Sequence, residues 1–209
     1  MPADGSERPR WAEASATTLE NEHVALRPVS AADRAALHAI AMDPQIWQYF
    51  VSRVDTDEQF EAFFDAMIAD HAERRRAVFC VHDKASSRLC GSMSFGNMSP
   101  ADQRLEIGWS WLGADFRGHG INRWAKYLLL EHAFEVLGAE RVEFKTDELN
   151  ERARRALRAI GATEEGTLRS FNPMPGGRRR NAVFYSVLRQ EWPEVKRHLA
   201  ESEPTSVAR

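Results

Sequence analysis

The 209-residue sequence predicts an α/β domain built on a mixed sheet. Two stretches carry that expectation. Between Trp111 and Leu137 an apolar strand ends, the chain turns through Phe116-Arg117-Gly118-His119-Gly120-Ile121-Asn122, and a long amphipathic helix begins; residues 141–146 then read as another strand. Strand, helix and strand in succession give two parallel strands joined by a right-handed crossover. Upstream, residues 77–83 and 89–98 flank a polar turn, the pattern of an antiparallel hairpin.

Each element has its own local cause. Residues 1–19 are polar and unpatterned, and are expected to be flexible. Residues 23–29 read as a strand with Val24 and Leu26 on one face. Ser30-Ala31-Ala32-Asp33 then opens a helix in the manner of a capping box, and Pro44 stops it. Thr56-Asp57-Glu58-Gln59 opens a second helix, in which Phe60, Phe63, Phe64, Met67 and Ile68 recur at helical spacing. It should end near the basic run at residues 73–76, where cations suit a helix C-terminus. Residues 104–112 alternate strictly, with Leu105, Ile107, Trp109 and Trp111 on one face and Glu106, Gly108 and Ser110 on the other.

The long helix after the glycine loop places Ile121, Trp124, Ala125, Leu128, Leu129, Ala133, Val136 and Leu137 on one stripe, and Gly138 stops it. A shorter helix over residues 150–160 turns Ala153, Ala156, Leu157 and Ile160 inward and ends at Gly161. Strands over 162–171 and 180–188 close around Asn172-Pro173-Met174-Pro175-Gly176-Gly177. The chain therefore divides into a leading segment (1–19), one domain (20–190), and a short helix with a disordered tail (191–209).

Composition bounds the partners. A formal net charge of −3 argues against a general nucleic-acid or membrane surface. No window approaches the length of an apolar membrane span, and the first residues lack the basic and apolar regions of a signal peptide. Cys80 and Cys90 are too few for a disulfide framework, and no Cys/His/Asp cluster has metal-ligand spacing. The expectation is a cytoplasmic, metal-free protein with two buried thiols, monomeric or homodimeric.

The glycine loop carries the chemistry. Gly118 and Gly120 let the backbone approach a ligand closely and adopt positive φ. The helix that follows offers unpaired N–H groups and the positive end of its dipole at the same place, which suits phosphate. Arg117 adds a cation.

The order of these pieces resembles a GNAT acyltransferase, and more narrowly the ribosomal-protein-alanine acetyltransferase branch of the RimJ/RimL type. The matching pieces are Val24-Ala25-Leu26-Arg27-Pro28, Glu106-Ile107-Gly108-Trp109, Arg117-Gly118-His119-Gly120, Thr146-Asp147-Glu148-Leu149-Asn150, Gly161-Ala162 and Tyr185-Ser186, spread over residues 20–192. The resemblance implies a central sheet of six to seven strands, helices on both faces, and a parallel pair that splays apart. It implies that Arg117, Gly118, His119, Gly120, Ile121 and Asn122 take the pyrophosphate of acetyl-coenzyme A. The family pattern there is Arg/Gln-x-x-Gly-x-Gly/Ala, and Asn122 departs from it at the last position. Pantetheine would bond backbone groups at Trp111 and Leu112, with Asn150 reaching it or simply capping its helix.

Acyl transfer to an amine needs a neutral nucleophile, a stabilised oxyanion and a proton for the leaving thiolate. Glu106, on the strand that leads to the loop and facing away from Leu105, is the candidate base; a salt-bridged strand carboxylate is the plainer reading. The family's usual acids are missing, because Leu157 and Ala153 stand where its Tyr and Ser would be. Tyr185, Ser110 or a water could serve, and no acid is nominated. Trp47 and Tyr49 are expected to line the acceptor groove, and Arg178, Arg179 and Arg180 to attract an acidic acceptor. The resulting expectation is an N-acetyltransferase moving acetyl from acetyl-coenzyme A to a primary amine, on a protein N-terminus or a small molecule. The alternative is a catalytically weak acyl-coenzyme A-binding regulatory module.

Overall fold

The computed structural model of the chain describes residues 11–201. Its centre is one sheet of eight strands: β1 (Leu19–Glu20), β2 (Val24–Pro28), β3 (Ala77–Asp83), β4 (Arg88–Ser99), β5 (Arg104–Leu112), β6 (Arg141–Asp147), β7 (Thr163–Pro173) and β8 (Arg179–Leu188). Their spatial order is β1-β2-β3-β4-β5-β6-β8-β7. All neighbours are antiparallel except β5 and β6, which the crossover makes parallel as expected. The count exceeds the expected six to seven because Leu19 and Glu20 add a two-residue edge strand to β2.

Five α-helices accompany the sheet: α1 (Arg34–Ala41), α2 (Asp57–Ala72), α3 (Ile121–Glu131), α4 (Glu151–Ala159) and α5 (Trp192–Glu201). The caps read from sequence are in place. Ser30 and Asp33 form a capping box, and the Thr56 hydroxyl accepts from the Gln59 N–H. The basic run does end α2, with Arg74 at φ 58° just past its last turn. The stripe on α3 continues to Ala133 and Leu137, but His132–Val136 form one wide π-turn rather than regular helix, and Val136, expected on the stripe, is exposed.

The sheet is covered on both faces, and β3 shows the division. Ala77, Phe79 and Val81 join a core with α3, α4 and α5; Val78 and Cys80 join a second core with Leu37, Phe60, Phe64 and Met67 of α1 and α2. Of the leading segment expected to be flexible, residues 1–10 lie outside the described residues. From Trp11 onward it is anchored: the indole is buried and donates to the Leu137 carbonyl at 2.8 Å. At the other end the expected short helix is α5, and the tail after Glu201 lies outside the described residues. Among the described residues no helix is long and apolar enough to cross a membrane.

β5 departs from its expected alternation. Pairing with β4 steps from Gly108↔Ser94 to Trp111↔Ser92, so β5 carries one extra residue there. Trp109 takes φ 49° at this bulge. The step turns the strand's faces over. Leu105 and Ile107 share the first core with Leu112, whereas Trp111 faces the second core beside Trp47.

Candidate active site

β5 and β6 pair over only three rungs, Arg104↔Arg141, Leu105↔Val142 and Glu106↔Glu143. Beyond them the strands part, and a cleft of about 760 Å³ opens between Gly108–Leu112 of β5 and Phe144–Thr146 of β6. Its lining includes Asn122 and Lys126 of α3, Ala153 and Leu157 of α4, and Asn150 just before α4. The splay that the family resemblance implied is therefore present.

At one end stands the glycine loop. Gly118 (φ 83°) and Gly120 (φ 79°) both occupy the left-handed region, and Gly120 is the residue from which α3 starts. Arg117 is less free than its role as a phosphate cation requires. Its Nε donates to the Leu112 carbonyl at 3.0 Å and its guanidinium pairs with Asp43 at 3.3 Å. His119 is exposed and borders not the cleft but a smaller hollow shared with His23 and Trp124, and the Ile121 side chain is core. Asn150 both borders the cleft and caps α4, its Oδ1 accepting from the Ala153 N–H at 3.0 Å.

Lys126 is the residue that sequence reading missed here. It lies one helical turn beyond Asn122, 5% exposed, and its Nζ donates to Asn122 Oδ1 at 3.1 Å. Burial alone lowers its ammonium to a pKa of about 8. The signal that could have found it is a lysine among the apolar positions flanking it, Ala125 and Leu128–Leu130, in the buried stripe.

Glu106 occupies the last paired rung, where the cleft begins. The carboxylate is 4% exposed, accepts from Asn97 Nδ2 at 2.6 Å and pairs with Lys145 Nζ at 2.9 Å. Gly108 makes room for it, since a Cβ there would sit 2.8 Å from Glu106 Oε1. Asn97 (φ 47°) lies at a second irregularity of the β4–β5 pair, which sequence periodicity does not announce. The Trp109 indole lies against Gly96 and carries the Arg76 guanidinium at 4.9 Å.

Other expected residues are dispersed. Tyr49 lines the cleft, but Trp47 does not: it is buried in the second core, its Nε1 donating to the Ala41 carbonyl at 2.6 Å and its ring 5.7 Å from Trp111. The arginine run is divided three ways. Arg178 pairs with buried Asp147, Arg179 bonds Ser170, and only Arg180 reaches the cleft. Arg180 is 7% exposed with no partner for its Nε, and it lies 6.0 Å from the Phe171 ring. Tyr185 is unsuited to give a proton away: its hydroxyl donates to Glu164 at 2.7 Å, and burial and that carboxylate raise its pKa. Ser110 borders the cleft and bonds the Gly108 carbonyl at 3.4 Å. Burial raises the thiols of Cys80 and Cys90, the latter to about 11. Among the described residues no group of His, Cys, Asp and Glu could hold a metal.

A mixed sheet parted beside a glycine-loop helix, with a buried carboxylate at the fork, is the architecture of a coenzyme A-dependent acyltransferase. Comparison with known proteins agrees. The acetyltransferase (GNAT) domain model matches residues 23–163. A solved acetyltransferase, provisionally so described, from T. thermophilus is 38% identical, covering 88% of this chain and 95% of its own, with a TM-score of 0.80. A GCN5-related N-acetyltransferase from Brucella melitensis is 27% identical over 88% of this chain and 84% of its own, with a TM-score of 0.82. Spermidine N(1)-acetyltransferase of Escherichia coli (strain K12) is 25% identical, over 81% of this chain and 88% of its own length. The chain belongs to the GNAT family of acetyltransferases, enzymes that use acetyl-coenzyme A.

Proposed function

We propose that this enzyme acetylates a primary amine, on a protein N-terminus or a small molecule, by direct attack within a ternary complex. The observation that carries the reading is the position of Glu106 at the fork of β5 and β6, facing the cleft that leads to the glycine loop. The residues fit the cosubstrate: positive-φ glycines and a helix N-terminus for its diphosphate, and a parted strand pair for its pantetheine arm. The loop Arg117–Asn122 would hold the diphosphate, the β5 backbone at Trp111 and Leu112 the arm, and Asn150 the opposite wall. When bound, acetyl-coenzyme A supplies an activated acetyl thioester.

The protein's own groups prepare the amine. Glu106, fixed by Asn97 and Lys145, takes the ammonium proton directly or through one water. A backbone N–H at the β5 bulge can face the developing oxyanion. With Leu157 and Ala153 on the cleft wall, neither usual side-chain acid is present, and a thiol with pKa near ~8.5 leaves without a dedicated donor.

The acceptor end is cationic. Lys145 and Arg180 stand against the single carboxylate of Glu106, which disfavours a polyamine and favours an acceptor bearing a carboxylate near its amine. Free-thiol release measured across peptides, amino acids and polyamines tests this. Turnover should favour acidic peptides or carboxylate-bearing amines. A preference for polyamines would overturn the acceptor assignment, and acetyl-coenzyme A binding without turnover on any acceptor would leave a binding module.

A further inference from the structure

Lys126 is buried without an opposite charge. Among the described residues no carboxylate lies within ion-pairing distance; its one bond is to the neutral amide of Asn122. A lysine at such a place ordinarily pairs or gives way to an apolar residue, because desolvating an ammonium is costly. The other cleft charges do not answer it. Glu106 is committed to Lys145, Arg117 to Asp43, and Arg152 and Arg180 are themselves cations. His119 precedes it in the loop and His132 follows it on the helix, where its ring stacks on Phe95.

The position of the ammonium says what would answer it. Helical side chains lean toward the N-terminus. The bond to Asn122 accordingly draws the Lys126 Nζ back to the first turn of α3, beside the loop and inside the cleft. Asn122 is also where the loop departs from its family pattern. Its side-chain oxygen takes one Lys126 proton and aims the remaining donors.

We propose that Lys126, held by Asn122, is the cation that meets the diphosphate of acetyl-coenzyme A from within the cleft, in place of the Arg117 guanidinium that Asp43 occupies. The proposal rests on the loop being the diphosphate site. Ligand binding then supplies the missing counter-charge, so that the ammonium is held by phosphate when the site is filled and is merely desolvated when it is empty.

The test is isothermal titration of wild type and Lys126→Met with coenzyme A, 3′-dephospho-coenzyme A and desulfo-coenzyme A, which share the diphosphate as their one common anionic group. Lys126→Met should lose about ten- to a hundredfold in affinity for all three, the size of a charge-assisted bond. With desulfo-coenzyme A, wild-type affinity should fall by roughly tenfold or more from pH 7 to pH 9.5, toward that of the variant, as an ammonium of pKa about 8 loses its proton. The variant itself should show no such fall. The methionine fits the buried stripe, so the unliganded variant should melt no lower than wild type. Equal affinities in wild type and variant overturn the proposal. A loss confined to the sulfur-bearing ligands also overturns it and assigns Lys126 to the thiol. Wild type that binds none of the three overturns the underlying diphosphate site instead.

Discussion

Glu106 is held on two sides, by the Asn97 amide and by the Lys145 ammonium, and it fits only because Gly108 leaves space beside it. A carboxylate so fixed would lose little freedom in acting as the proposed base, and the same contacts define how to test it. Glu106→Gln keeps the shape and the Asn97 neighbour but removes the proton acceptor. Its kcat should fall about 10²- to 10⁴-fold, with coenzyme A affinity unchanged and the ascending limb of the pH–rate profile flattened. Equal turnover in the variant would return Glu106 to a structural role. Gly108→Ala probes the same carboxylate by displacement, because its methyl would stand 2.8 Å from Oε1. Turnover should drop at least tenfold while the fold survives, checked by kcat beside a thermal melt.

Among the elements, the loop that opens α3 carries the sharpest expectation. Gly120 sits at φ 79°, a conformation in which a branched side chain is strained whatever space it finds. Gly120→Val should cost more than tenfold in coenzyme A affinity by titration, and Arg117→Ala less, since Asp43 and the Leu112 carbonyl already engage that side chain. Unchanged affinity in Gly120→Val would remove the loop from the cosubstrate site. The loop was readable from sequence because glycine spacing and the helix stripe each have a local cause. The bulge in β5 was not. Its apolar residues alternate unbroken through Trp111, and nothing in a tryptophan announces a positive φ. The arginine run failed for a different reason: β8 begins at Arg179, and neighbouring strand residues point to opposite faces, so three arginines in a row cannot make one patch. Lys145 and Asn97, which hold the Glu106 carboxylate, come from β6 and β4 and meet it only through sheet register.

Across the whole molecule, two cores on opposite faces bury the helices, and one half-buried and one buried histidine beside them link stability to pH. His71 accepts the Val78 N–H on Nδ1 at 3.0 Å, and His132 is buried on α3's extension; desolvation lowers the pKa of both. The unfolded chain binds protons at these sites near pH ~6.5, where the folded protein still excludes them. Their contribution to stability is therefore full above that pH and is lost as pH falls through the lower folded-state values. Urea midpoints should drop between pH 7.5 and 5.5, and His132→Phe should lessen the drop. Coincident midpoints at the two pH values would show that neither histidine is held neutral.

The three rungs between β5 and β6 make a seam in an otherwise zipped sheet, with five strands on one side and three on the other. On the proposed function, the pantetheine arm, with its two amides, would lie in the parted stretch and do the work of a missing strand. Occupancy of the cleft thus stitches two half-sheets together. Within residues 107–112 and 144–147, the amides that point into the cleft rather than to β4 or β8 should exchange with solvent readily without ligand and slow together on coenzyme A binding, while those of β2 and β3, far from the seam, keep their rates. On that reading the cosubstrate would be a removable structural member, and the seam would be least secured in the interval between one turnover and the next.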